Sequence, residues 1–187
     1  MGILFFDTET TDLPDYRSAP GEHQPHVVQL AAVLDQGGSE RVLTTLIRPE
    51  GWSISPDAQR VHGISTEQAT AEGIPIAEAM AEFDEMLDQA TVAVAHNVRF
   101  DRLLIDSEHV RLRRKARWPR TVCTMLTCTD IVRVIGHWGG YKWPTLEETY
   151  RHFFGQPPTN AHDALSDVRA CQRIYHELIR QGHVRQS

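Results

Sequence analysis

Phe6-Asp7-Thr8-Glu9-Thr10-Thr11, at the end of the apolar run Ile3-Leu4-Phe5-Phe6, is the stretch from which the rest of the chain can be read. The run is short, wholly apolar and made of β-forming residues, which predicts a buried strand. Side chains two apart on a strand point to the same face, so Asp7 and Glu9 should leave its end together. Two carboxylates held so close raise each other's energy unless a proton or cation intervenes. Hard oxygen donors of this kind suit Mg²⁺ or Mn²⁺. An Asp-x-Glu pair alone is also compatible with two solvated acids.

Working outward, Pro14, Pro20, Gly21 and Pro25 mark a long loop reaching about His26. It is read as a rim or lid over the strand's end, with His23 and His26 on its solvent side. Val27–Leu34 and Arg41–Ile47 read as two further strands joined by a turn at Gly37-Gly38, so the first three strands form an antiparallel meander. Ser55-Pro56 suits a helix start. Ile76, Met80, Phe83 and Leu87 recur at spacings of four, three and four, which predicts an amphipathic helix over 76–89. Thr91–Ala95 is a short strand, Asn97 an N-cap, and Phe100, Leu103 and Leu104 the core face of the next helix. Arg120–Met125 reads as a fifth strand. Thr145 and Glu148 form a capping box, Gly155 ends that helix, and the last helix covers roughly 163–181. The expected class is α/β, with a five-stranded mixed sheet, three antiparallel strands followed by two parallel ones, flanked by helices.

Composition sets the outer limits. A chain of 187 residues, 41% hydrophobic and 24% charged, is expected to form one domain, 1–187, of ordinary globular type. No apolar run reaches the ~18 residues of a membrane span, and the start lacks the pattern of a secretory signal; a cytoplasmic protein without a membrane partner is expected. Cys123, Cys128 and Cys171 form no Cys-x-x-Cys pair, which points to plain thiols rather than a zinc site. The net charge of −6 is unusual for a partner of nucleic acid. Against it stands a basic run, Arg111, Arg113, Arg114, Lys115, Arg117 and Arg120, readable as a solvated helix end or as a phosphate-tracking patch.

Two more segments carry acids. In His96-Asn97-Val98-Arg99-Phe100-Asp101, the aspartate falls in the first turn of a helix, where it also complements the helix dipole. His96 reads as a packed histidine, and Asn97 as a cap or a substrate contact. In His162-Asp163-Ala164-Leu165-Ser166-Asp167, the histidine precedes the terminal helix. Ala164, Asp167, Cys171, Ile174 and Leu178 lie on one stripe, so Asp167 is an acid on a face made for burial. Asp163 and Ser166 have solvent-side readings. In the loop His137-Trp138-Gly139-Gly140-Tyr141-Lys142-Trp143-Pro144, Trp143 is expected to plug apolar surface or to stack on bases.

The segments 6–11, 61–64 (Val61-His62-Gly63-Ile64), 96–101 and 162–167, in this order, resemble the DnaQ-like, or DEDDh, exonuclease family over nearly the whole chain. The resemblance implies a ribonuclease H-like fold and a 3′→5′ exonuclease that releases 5′-mononucleotides. It implies that Asp7, Glu9, Asp101 and Asp167 hold two divalent cations, Mg²⁺ or Mn²⁺, and that His162 is the general base. Four metal-bound carboxylates would bring the formal charge from −6 to −2. Leu13, Val61 and His62 match positions that wedge against the terminal nucleotide, or they pack. The Thr8 backbone would meet the 3′-hydroxyl. The implied partner is the 3′ end of single-stranded DNA, favoured over RNA, with an RNA-trimming relative as the alternative. Similarity to proofreading subunits of bacterial replicative polymerases implies a DNA polymerase partner. A catalytically silent nucleic-acid-binding module is the reading from another class. Asp12 departs from the family's usual glycine, placing an acid where a positive φ would favour glycine.

Overall fold

The apolar run at 3–6 lies at the centre of a five-stranded sheet in the computed structural model, which describes residues 2–21, 23–159 and 163–185. The strands are β1 (Gly2–Thr10), β2 (Val27–Asp35), β3 (Glu40–Leu46), β4 (Ala90–Ala95) and β5 (Arg120–Cys123), in the order β3-β2-β1-β4-β5. As the meander reading requires, β1 pairs antiparallel with β2 and β2 with β3, whereas β4 pairs parallel with β1 and with β5. The seven helices of the described residues are α1 (Pro56–His62), α2 (Thr66–Glu72), α3 (Ile76–Asp88), α4 (Val98–Arg111), α5 (Thr124–Val132), α6 (Leu146–Phe154) and α7 (Ala164–Arg180).

Both faces of the sheet are covered, which is why β1 carries no polar residue before Asp7. Leu4 and Phe6 point to one side, where they join Met80, Phe83, Met86 and Leu87 of α3 and Leu104 and Ile105 of α4. Phe5 points the other way, to Val168, Cys171 and Tyr175 of α7. Further along that side, Cys128 and Tyr150 from α5 and α6 pack on Ile174 and Leu178. The chain therefore forms three layers, α3/α4, sheet, and α7 with its outer helices.

Several expectations shift in detail. The fifth strand stops at Cys123, and Met125 belongs to α5. That helix has no side-chain cap, and its sequence is rich in threonine, isoleucine and valine, so local propensity spoke for strand. The short helix α2 has one buried residue, Ala69, and hence no periodicity to read, although Ser65 caps Gln68. The capping box at Thr145 and Glu148 and the left-handed Gly155 are both present. Asn97 stands at the N-cap position of α4 without a capping hydrogen bond. Trp143 is 62% exposed and plugs nothing. His26 is not a solvent-side residue; its ring stacks on Trp52 at 5.0 Å.

One pair, a buried histidine and a partly exposed aspartate, fixes α4 against α3. His109, 1% exposed, has Nδ1 at 2.8 Å from the Ile105 carbonyl and Nε2 at 2.8 Å from Asp84 Oδ1. Both partners accept, so both ring nitrogens carry protons. Burial pulls the imidazole pKa down, but Asp84 and the Ile105 carbonyl outweigh it and hold the value above the ordinary one. A raised folded-state pKa means that the folded protein binds the proton more tightly. This contribution is complete below the unfolded value of ~6.5 and fades as pH rises through the folded value. His109→Ala is expected to cost about 2–4 kcal/mol near pH 6. The gap from wild type should narrow toward pH 9 in urea titrations; a gap independent of pH would show the ring acting through packing alone.

Candidate active site

Sheet topology selects where a site can form. After β1 the chain turns to one side, into β2 and β3, and after β4 to the other, into β5. The crevice at the carboxyl ends of two parallel strands at such a switch point is the usual ligand position in α/β sheets. Pairing of β1 with β4 ends at Phe5 and Val94, so residues 6–10 of β1 continue beyond its parallel neighbour, held by β2 alone. A bulge between Glu9 and Thr10 ends the regular register there.

Alternation along β1 divides the acids between the two faces. Asp7 and Glu9 continue the side of Phe5, facing α7, and with Asp167 they bring carboxylate oxygens within 4.8 Å of one another. Thr8 continues the side of Phe6, facing α4. Its amide donates to Asp101 Oδ1 at 3.0 Å, and its hydroxyl donates to the same oxygen at 2.9 Å. Thus Asp101, 3% exposed, is braced on one oxygen by the residue between the two β1 acids.

The electrostatics record the crowding. Asp7 is held well above the carboxylate range by burial first, then by Asp101, Asp167, Glu9 and Asp163. Glu9 is pushed up to about 8 by burial and by Asp167, Asp101 and Asp163. Asp101 is raised to about 7 by burial, opposed by its two bonds from Thr8 and reinforced by Asp167. Crowded acids, three half-buried and Asp101 buried, whose surroundings favour the protonated form are a donor set suited to hard divalent cations, whose charge would reverse the penalty.

The start of α7 is fixed by a residue that the sequence did not single out. Gln29 on β2, level with Glu9 in the register, donates from Nε2 to Asp163 Oδ1 at 3.2 Å. Its Oε1 accepts from the Ala164 amide at 3.1 Å. Asp163 is not a solvent-side acid; it caps α7, accepting from the Ser166 amide at 3.1 Å and the Ser166 hydroxyl at 2.9 Å. A lone glutamine on a strand gives no sequence signal, because its role depends on what α7 brings to it. His162 lies outside the described residues; it immediately precedes the braced Asp163 in the sequence.

Of the expected substrate contacts, His62 lies nearest this helix start. Leu13 and Val61 are 79% and 58% exposed, so neither packs in the core. His62 accepts the Ile64 amide on Nδ1 at 3.1 Å, and Gly63, at φ 78°, closes α1 behind it. His62, Gln29 and Asp163 share a cavity of about 430 Å³. Asn97 lies against the Tyr16 hydroxyl. Asp12 is exposed and its φ is not positive, so this backbone does not require glycine. His96 is packed, as expected: Nε2 faces the Pro144 carbonyl at 3.0 Å and must carry the proton, while Nδ1 meets the Thr124 hydroxyl at 2.9 Å. Burial lowers its pKa to about 4, so it stays neutral. The loop before β2 is tied down, since Arg111 donates to the carbonyls of Gly21, Gln24 and Pro25.

Comparison with known proteins gives a consistent set of likenesses. A family model described as exonuclease matches residues 4–175. Among solved structures, E. coli exonuclease I in complex with a dT13 oligonucleotide superposes with a TM-score of 0.73 at 20% identity, covering 95% of this chain and 40% of that one. The zinc-bound form of an E. coli exonuclease I complex with single-stranded DNA gives 0.70 at 21%, covering 96% and 40%. Exonuclease I from Methylocaldum szegediense gives 0.73 at 22%, covering 96% and 40%. The chain spans about two fifths of the length of these structures. No curated protein sequence matches it. The shared architecture is the ribonuclease H-like fold with sheet order β3-β2-β1-β4-β5.

Proposed function

Because the chain belongs to the RNase_T exonuclease family, we propose that it is a 3′→5′ exonuclease that removes 5′-mononucleotides from single-stranded DNA, working as one domain over residues 1–187 in the cytoplasm. The observation that carries this reading is the convergence of Asp7, Glu9 and Asp167 within 4.8 Å, with Asp101 braced beside them. These four carboxylates would hold two divalent cations, Mg²⁺ or Mn²⁺. Bound there, the cations supply an activated water and stabilisation of charge on the departing 3′-oxygen.

The protein's own groups do the rest. Thr8 holds Asp101 in place, so the fourth carboxylate does not swing into solvent. Gln29 sets the start of α7 and with it the direction of Asp167. His162, whose ordinary pKa is ~6.5, accepts the water's proton near neutral pH. The exposed Leu13 and Val61 wedge against the terminal nucleotide, with His62 and Asn97 at its edges. Single-stranded DNA is preferred as substrate because two of the similar structures hold single-stranded DNA. The similar structures lend no support to a DNA polymerase partner.

The test is digestion of 5′-labelled single-stranded DNA and RNA oligomers of matched sequence with Mn²⁺. A ladder shortening from the 3′ end is expected, faster on DNA. Internal cuts would replace the reading with an endonuclease, a faster RNA ladder with an RNA-trimming enzyme, and intact oligomers with a silent binding module.

A further inference from the structure

Two cavities lie end to end along α4, leading away from the acids. The first, of about 410 Å³, runs between the rim loop and the start of the helix, lined by Tyr16, Pro20, Arg99, Arg102 and Asp106. The second, of about 310 Å³, shares Pro20, Arg102 and Asp106 with it and continues to Arg114, Lys115 and Trp118. Arg99, Arg102 and Asp106 recur at three and four residues, so one stripe of α4 forms the floor. From Arg99 to Val110 that floor extends about 16 Å at the helical rise.

The groove gathers cations on a chain whose net charge is −6. The Arg99 guanidinium lies over the Tyr16 ring at 4.5 Å and that of Arg102 over Trp118 at 5.4 Å. A guanidinium flat on a ring keeps its edge donors for another partner. The lining holds one carboxylate, Asp106, and it is engaged: Oδ1 accepts from Trp118 Nε1 at 2.8 Å and Oδ2 from Arg102 Nε at 3.4 Å. Among the described residues, no carboxylate is ion-paired with Arg99, Arg114 or Lys115. At its upper end the groove is lined by Val98 and Arg99, in the same first turn of α4 as Asp101.

We propose that this groove holds the sugar–phosphate backbone of the substrate strand on the 5′ side of the end being hydrolysed, with Arg102, Arg114 and Lys115 as phosphate contacts. The inference rests on the nuclease reading above. It gives Arg114 and Lys115 of the basic run a function, while Arg111 serves the rim loop. A charge track of this kind is indifferent to sequence and sensitive to salt.

The test compares wild type with Arg102→Gln/Arg114→Gln/Lys115→Gln, and with Arg114→Gln/Lys115→Gln in case loss of Arg102 loosens the Trp118 wall. Fluorescence anisotropy in EDTA would measure binding of a labelled dT12 and a labelled dT3. Hydrolysis of the p-nitrophenyl ester of thymidine 5′-phosphate with Mn²⁺ would report the acids alone. For the triple variant, dT12 binding should weaken about tenfold or more at 0.1 M salt, and the slope of log affinity against log salt should become shallower by about 2, three contacts at ~0.7 each. The double variant should show roughly two thirds of that change in slope. In the double variant, whose two side chains line only the far cavity, binding of dT3 and ester hydrolysis should not change. Unchanged dT12 affinity and slope in both variants would overturn the groove. If the wild type hydrolyses neither ester nor oligonucleotide, the nuclease reading falls, and anisotropy still decides the groove.

Discussion

Asp7→Asn is expected to reduce hydrolysis roughly a thousandfold while raising the melting temperature of the metal-free protein. The two effects share one cause. Asp7 is half-buried and surrounded by Asp101, Asp167, Glu9 and Asp163, which together with burial hold it well above the ordinary carboxylate range. A folded-state pKa above the unfolded value means that the folded protein binds more protons. Without metal, its stability therefore falls as pH rises from about 4 through the folded pKa values, which for Glu9 reach about 8. Asparagine carries no charge and relieves that repulsion. At ~2–4 °C per kcal/mol for a chain of this size, a gain of a few degrees at pH 8 is expected, vanishing near pH 4. Turnover falls because a lost cation ligand removes several kcal/mol of transition-state stabilisation, and ~4 kcal/mol is about a thousandfold. Calorimetry with and without Mn²⁺ would separate the parts: the variant should also lose most of the metal-induced rise. A lower metal-free melting temperature would mean that Asp7 is a structural acid, and unchanged turnover would remove it from the site.

His162→Ala is the second large effect, an expected loss of 10²–10⁴ in kcat. The histidine is assigned to proton transfer, not to the cations, so the Mn²⁺-induced rise in melting temperature should survive. The loss should be smallest at high pH, where hydroxide replaces the missing base, and the acidic limb of the pH–rate profile should lose the step that belongs to the base. Loss of the metal-induced rise together with turnover would reassign His162 to the metal site. Full turnover would leave the base to be sought elsewhere.

Most of this site was legible because it is written in local patterns. The Asp-x-Glu pair follows from strand periodicity, and Asp167 stood out as an acid on the apolar stripe of α7, which packs through Val168, Cys171 and Tyr175. The sheet was legible for the same reason, since β1, β2 and β4 are near-continuous apolar runs. What was not legible depends on contacts between distant segments. Thr8 could not be seen as the brace of Asp101, nor Gln29 as the brace of Asp163, because each contact spans about half the chain or more. Helix α5 was missed because tertiary packing of Cys128 overrides a β-prone sequence. For Trp143 the plugging alternative fails because burial of aromatics is only a tendency, and here the chain turns the ring outward.

If the proposed mechanism holds, the bond pair between Gln29 and the start of α7 has a consequence for the rate as well as for the fold. Asp7 and Glu9 ride on a strand buried in the sheet, whereas Asp167 arrives on a helix that begins after a separate loop. Without a link to β2, that first turn would be held by its own cap and packing alone, and under the proposed mechanism Asp167 would be set less firmly against Asp7 and Glu9. Gln29 engages a side-chain oxygen and a backbone amide of two successive residues, which sets the rotation of the first turn as well as its position. The loss of freedom is therefore met once, when the protein folds, and the site waits in its working arrangement.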